Sequence, residues 1–147
     1  MITSKDIKAA IIEKLRSRFP NYEYYSGLEV IEGYEKPCFF TFIEILDVSK
    51  INTNISNTDY LFLIDYFQPE KDEIDLLEKM EEIINLFLNG FKVKDRYIVP
   101  ELSQNYIGKN KNILEIELSF SVIQEITKEE TEDKIENVKV NLQKEKD

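Results

Sequence analysis

Two stretches decide the fold: Pro37-Cys-Phe-Phe-Thr-Phe-Ile-Glu-Ile-Leu46 and Asp59-Tyr-Leu-Phe-Leu-Ile-Asp-Tyr-Phe67. Side chains alternate across a strand. In the first stretch Cys38, Phe40, Phe42 and Leu46 share one face, while Phe39, Ile43 and Ile45 share the other. In the second, Tyr60, Phe62, Ile64 and Tyr66 stand opposite Leu61, Leu63 and Phe67. A strand that is apolar on both faces is covered twice. One layer of helices covers only one side of such a sheet. The other side must meet more of this chain or another subunit, because monomers seldom leave large apolar patches in water.

Helices flank these strands. Thr3 or Ser4 can cap a first helix, with Asp6 early and with Ile7, Ile11, Leu15 and Phe19 at helical spacing. Pro20 ends it, since the residue before a proline is pushed out of the helical region. After Gln68-Pro69, the acids Glu70, Asp72, Glu73 and Asp75 suit a helix N-terminus. Ile74, Leu77, Ile84 and Leu88 are its expected apolar stripe, stopped by Asn89-Gly90.

The remaining segments are extended or turn-like. Tyr22 to Tyr25 and Leu28 to Ile31 read as short extended pieces around Ser26-Gly27. Residues 47–58 are rich in turn formers and read as a mobile loop or as the distal end of a long hairpin. Phe91 to Val93 and Tyr97 to Val99 read as short strands around Lys94-Asp95-Arg96. Leu114, Ile116, Leu118, Phe120 and Val122 alternate with Glu115, Glu117, Ser119 and Ser121, a strand with one core face and one polar face. Beyond Thr127 both signs of charge dominate, but Val138, Val140 and Leu142 alternate with Lys139, Asn141 and Gln143, the pattern of a terminal strand. The expected organisation is an α+β domain over residues 1–126 and a charged C-terminal arm over 127–147, with a terminal strand at 138–143.

Composition narrows the function. At 147 residues the chain is the size of one domain, and a single core serves every element. Nine Phe and eight Tyr argue against disorder, and 33% charged residues argue against a membrane protein. No apolar run reaches the roughly 20 residues that span a bilayer, and the start lacks the pattern of a secretory signal, so a cytosolic protein is expected. The formal net charge of −10 repels phosphate and disfavours nucleic-acid binding through a basic patch. Histidine is absent, which removes the commonest general base and metal ligand together. Cys38, the only cysteine, sits in an aromatic strand and reads as a small buried hydrophobe.

Candidate chemistry reduces to structure. Asp72, Glu73 and Asp75 are explained by a helix start, because the glycine-bearing calcium loop is missing. Glu115 and Glu117 could flank a metal, but no supporting acid or lysine stands at a fitting spacing. No glycine-rich phosphate loop or nucleophile motif occurs among four scattered glycines. No catalytic residue, cofactor or metal is expected. The candidate functional residues are those of a subunit interface: Phe40, Phe42, Tyr60, Phe62, Tyr66, Val138, Val140 and Leu142.

Several motifs carry a family resemblance. Ile2-Thr3-x-x-Asp6-Ile7 opens the first helix, and Phe19-Pro20 is followed by Tyr24. Gly33-Tyr34-x-x-Pro37-x-Phe39-Phe40 then enters a strand, and Ile64-x-Tyr66-Phe67 precedes an acidic helix. In this order, over about residues 2 to 125, they resemble tail terminator proteins of phages and prophages of Gram-positive bacteria, with relatives in contractile tails and phage-derived bacteriocin particles. The resemblance implies an α+β domain with a mixed or mainly antiparallel sheet flanked by two helices. It implies a homohexameric ring, built in the host bacterial cytoplasm, that caps the tail tube, stops its growth and forms the head-proximal joining surface. The implied partners are the tail tube protein, the head–tail connector and, in contractile tails, the sheath protein. The alternative from composition is an acidic DNA-mimic inhibitor of a DNA-binding enzyme, although acids alternate with lysines in both helices.

Overall fold

The structure is a computed structural model that describes residues 1–27 and 33–126. Residues 28–32, with the expected extended piece Leu28 to Ile31, and the charged segment 127–147, with its expected strand at 138–143 and its candidate interface residues Val138, Val140 and Leu142, lie outside the described residues.

Helix α1 spans Ser4–Arg18. The Thr3 side chain accepts from the Asp6 backbone N–H, and the Asp6 carboxylate accepts from the Thr3 N–H at 2.9 Å, a reciprocal capping box. These hydrogen bonds hold the Asp6 carboxyl below the usual range. Ile7, Ile11, Leu15 and Phe19 are buried, as their spacing predicts. Strand β1 is Glu23–Ser26, β2 Cys38–Lys50 and β3 Ile55–Phe67. Helix α2 is Glu73–Phe87. The short strands β4 (Phe91–Val93) and β5 (Arg96–Ile98) pair with each other. Strand β6 is Glu101–Ile107 and β7 is Ile113–Glu125.

Five strands form one mixed, mainly antiparallel sheet in the order β1-β2-β3-β7-β6, with β1 parallel to β2 and every other pair antiparallel. The fold is α+β. The register places Phe39, Tyr66 and Leu114 side by side, then Thr41, Ile64 and Ile116, then Ile43, Phe62 and Leu118. These rows face the inner stripes of α1 and α2 and form the core with them. The β4–β5 hairpin closes the same layer, with Phe91 edge-on to Phe87 and Phe120. Gly90, at φ +92, lets α2 turn into β4; a Cβ there would lie 2.4 Å from the Ile98 carbonyl oxygen.

One sequence expectation changes, one open choice is decided and one strand is added. The expected stripe of α2 is rotated: Ile74 and Leu88 are exposed, Leu77 is at the margin, and Leu76, Lys79, Ile83 and Phe87 are buried. A lysine holds one core-facing position, so the apolar period was broken where it mattered. Its stem packs among aromatic rings, with Nζ 5.8 Å from the ring centres of Phe19, Tyr22 and Tyr66. Residues 47–58 are the distal end of a long β2–β3 hairpin, with a β-bulge between Ile45 and Asp47. Strand β6 was not foreseen, because Glu101-Leu-Ser-Gln-Asn-Tyr-Ile107 is a polar edge strand that carries little alternation.

A polar node ties α2 to the sheet. Tyr66 donates its hydroxyl to Asp75 Oδ2 at 2.6 Å, Gln68 Nε2 reaches the same oxygen at 3.2 Å, and Lys79 Nζ lies 3.3 Å from Oδ1. Burial opposes ionisation of Asp75, yet these donors hold its carboxyl below the usual range. The strand end and the helix start are thus locked in one register.

Phe62 lies at the centre of the core rows. Phe62→Ala is expected to cost about 3–5 kcal/mol of stability, read from the shift of the urea midpoint, whereas Leu61→Ala on the opposite sheet face should cost less than half as much.

Candidate assembly surface

The helices and the β4–β5 hairpin cover one face of the sheet, and no described element covers the other. Every second residue of the strands lies on this open face. From β2 and β3 it receives Phe40, Phe42, Leu61, Leu63 and Phe67, all partly exposed. Phe40 and Phe67 stack tilted with ring centres 4.9 Å apart. Tyr34 stands edge-on to both, at 5.4 and 5.3 Å. Tyr25 from β1 lies 5.2 Å from Phe40 and accepts at its hydroxyl from the Glu35 N–H at 3.2 Å. The entry to β2 is therefore an aromatic cluster, assembled by the parallel β1–β2 pairing.

Toward β7 and β6 the same face turns polar and acidic. Asp65 and Glu115 are register partners, as are Leu63 and Glu117, Leu61 and Ser119, and Asp59 and Ser121. Glu101 and Ser103 of β6 extend the rows, and Ser103 Oγ donates to Glu117 at 3.1 Å. Every charged residue at a paired position on this face is acidic, including Glu44 of β2. The face is thus half apolar and half anionic.

Two neighbouring carboxyls there behave oppositely. Ser121 donates to Asp59 at 2.5 Å and Asn57 donates at 2.9 Å, and both bonds hold its carboxyl below the usual range. Asp65 lies between Phe40 and Glu115, and its Oδ1 is buried with no hydrogen-bond partner. Burial first, and then the adjoining Glu115 carboxyl, push Asp65 up to about 8. Near neutral pH the pair therefore holds a proton, with Asp65 as its natural site.

A third feature is the hairpin arm. Residues 44–54 are exposed throughout, and Ile45, Leu46, Val48, Ile51 and, from β7, Ile123 leave large apolar side chains in solvent. Among the described residues no strand pairs with the outer edge of β2 beyond Thr41, where the Gly27 N–H binds the Thr41 carbonyl at 2.8 Å.

The candidate interface residues separate on this frame. Phe40 and Phe42 lie on the open face. Tyr60, Phe62 and Tyr66 do not: they point under the helices and are buried in the core, so they cannot form a subunit interface. Strand period alone gives two faces without saying which one the helices take. Leu61, Leu63 and Phe67 are the residues of that strand on the open face. Cys38 is buried and its thiol is pushed up to about 11 by burial, the state of an unreactive thiol.

Other features hold no converging chemistry. A groove of about 400 Å³ runs between the start of α2 and the β6–β7 turn, lined by Gln68, Leu76, Leu77, Tyr106 and Asn112 among others. The Asp72 carboxylate caps α2 by accepting from the Ile74 and Asp75 N–H groups, as a helix start requires. Among the described residues no group of three or more His, Cys, Asp or Glu side chains is placed to hold a metal, and no helix is long and apolar enough to cross a membrane.

The Asp65 environment sets a pH dependence. Because the folded carboxyl is raised from 3.8 to about 8, the native state binds more protons than the unfolded chain between these values, and its stability falls as pH rises through that window. Asp65→Asn retains the shape of the protonated acid and removes this loss. The variant's urea midpoint should exceed that of the parent at pH 8 and approach it at pH 4; an equal difference at both values would contradict the assignment.

Comparison with known proteins places the chain. A family profile described as phage tail terminator protein matches residues 6–134. No curated protein matches the sequence. A chain from the virion of a native gene transfer agent particle is similar in shape, with 11% identity, coverage of 80% of this chain and 93% of that chain, and a TM-score of 0.46. A second solved chain, which carries no functional description, shows 11% identity, coverage of 86% and 98%, and a TM-score of 0.48. Both likenesses are distant, whereas the profile match takes in the two-sided strands, both helices and the whole sheet, and this chain belongs to the phage tail terminator family.

Proposed function

We propose that this structural phage tail protein caps the end of a phage or phage-like tail tube as a hexameric ring. The ring stops tube polymerisation and forms the head-proximal joining surface. Family membership supports the role, and the open sheet face is the observation that carries the reading. A sheet whose second face bears Phe40, Phe42, Leu63 and Phe67, all partly exposed and with no described helix over them, suits burial against another surface. A ring requires heterologous contacts, in which one surface of each copy meets a different surface of the next. The open face and the exposed hairpin arm are two such surfaces on one chain. The partners in this reading are further copies of the chain, the tail tube protein and the head–tail connector, with the sheath protein added where the tail contracts. Assembly takes place in the host bacterial cytoplasm. The chain acts without catalysis, cofactor or metal.

The acidic half of the open face favours one competing reading. Glu115 and Glu117, with Glu101 beside them, form a carboxylate row of the kind that a DNA mimic presents to a nuclease. The adjoining aromatic cluster does not resemble a phosphate backbone, and the same acids turned toward a tube lumen would let DNA pass without sticking.

Deletion of the gene should produce tails that are overlong or lack their terminal structure in negative-stain images, and the intact gene supplied in trans should restore the length. Phe42→Asp should fold, with a melting temperature within a few degrees of the parent, and fail to restore it. Tails of normal length and normal ends in the deletion strain would overturn the proposal.

A further inference from the structure

We infer that the β4–β5 hairpin of one copy, with Lys92 and Tyr97 at its centre and Lys14 of α1 beside it, docks on the acidic open sheet face of the next copy. The inference rests on the ring reading above and names the two surfaces that meet in it.

Charge separates the two layers of this chain. Every charged residue at a paired position on the open face is acidic, among them Glu44, Asp59, Glu101, Glu115 and Glu117. A face of one sign, adjoining Phe40, Phe42 and Phe67, is complemented by a cover that is both apolar and basic. Two open faces laid against each other would set these carboxylates against their own kind, which disfavours a symmetric face-to-face dimer.

The complement lies on the helix layer. Lys92 and Tyr97 are register partners, and their strand neighbours Phe91, Val93 and Ile98 are buried, so both point away from the core. Tyr97 is 62% exposed, and Leu88, just before the hairpin, is 56% exposed. Lys14 Nζ donates to the Gly90 carbonyl at 2.6 Å, and the Tyr97 hydroxyl stands 3.5 Å from the same oxygen, which brings the Lys14 ammonium beside the phenol. Lys94 is paired with Asp6, but among the described residues neither Lys14 nor Lys92 has a carboxylate partner. In a chain of net charge −10, residues 88–99 carry three bases, Lys92, Lys94 and Arg96, against one acid, Asp95, a local charge of +2.

The other described apolar surfaces do not match. The β2–β3 arm offers Ile45, Leu46 and Val48, but it brings Glu44 and Asp47 against Lys50 alone. The outer side of α2 carries Glu78, Glu81 and Glu82. Either would set acid against acid.

The position of the hairpin selects a second copy. Phe91 packs edge-on to Phe120 on the helix side, so the sheet itself stands between the hairpin and the open face of the same chain. Joined between copies, the two surfaces make a heterologous contact, and each copy keeps one free surface of each kind for its other neighbour.

The test uses full-length chains with tail tubes, read as the number of chains that co-sediment per tube end. Lys92 is exposed, so Lys92→Glu should keep a melting temperature within a few degrees of the parent while lowering that number at least fivefold. Adding Glu44→Lys, Glu101→Lys or Glu117→Lys to Lys92→Glu should restore at least half of the loss at one of the three positions, which then reports the docking register. Glu81→Lys on α2 restores the same net charge away from both surfaces and should restore no binding. Such a rescue identifies the occupant as a second copy, because a lost contact between Lys92 and tube protein would not be repaired by a change on the open face. Parent-level binding by Lys92→Glu, no rescue at any of the three positions, or equal rescue by Glu81→Lys would overturn the inference. The parent separates the failures: several parent chains per tube end leave the ring standing, whereas single parent chains overturn the ring as well.

Discussion

A five-stranded sheet with helices on one side leaves a second face that no described helix or strand covers, and most of this protein's character follows from that constraint. Strands β2 and β3 carry large apolar side chains on both faces, so the choice of which face the helices take fixes what remains for contact. Tyr60, Phe62, Ile64 and Tyr66 go under the helices. Leu61, Leu63 and Phe67 then stay on the open face with Phe40 and Phe42. The surface for assembly is made by the same strands that make the core.

The helix layer is held in that position by directional contacts as well as by packing. Asp75 receives Tyr66 and Gln68 from the end of β3, and Lys79 closes the node from the next turn of α2. A charged pair at the edge of an aromatic core is costly unless its hydrogen bonds are complete, and here Asp75 is saturated with donors. Asp65 on the opposite face is the contrasting case, a carboxyl with one buried oxygen, Oδ1, that has no hydrogen-bond partner. The first carboxylate fixes a fold contact. The second keeps the open face less charged than its composition suggests.

The sequence made some of this legible and hid the rest for physical reasons. The capping box of α1, the alternation of β7 and the two-sided character of β2 and β3 could be read directly, because each is a local pattern with one cause. Helix α2 was misaligned because Lys79 occupies a core-facing position, where its stem serves as an apolar residue. Strand β6 gave no signal, since an edge strand with a polar face needs neither alternation nor β-branched residues. The interface was half legible: two apolar faces were visible, but only the packing of Tyr66 against α2 shows that Tyr60, Phe62 and Tyr66 belong to the core and not to a subunit contact. For residues 47–58 the sequence left a loop and a hairpin end as alternatives, because the pairing of Val48 with Thr58 and of Ser49 with Asn57, which decides between them, is a long-range property.

The central claim is that the open sheet face becomes covered when the protein assembles on a tail tube. Hydroxyl-radical footprinting of the free chain and of tube-bound chains reads this directly, because it reports side-chain exposure residue by residue. The account predicts that Phe40, Phe42 and Phe67 lose most of their reactivity on assembly, while the buried Phe39 and Phe62 are unreactive in both states. Unchanged reactivity at Phe40, Phe42 and Phe67 in tube-bound chains would contradict it.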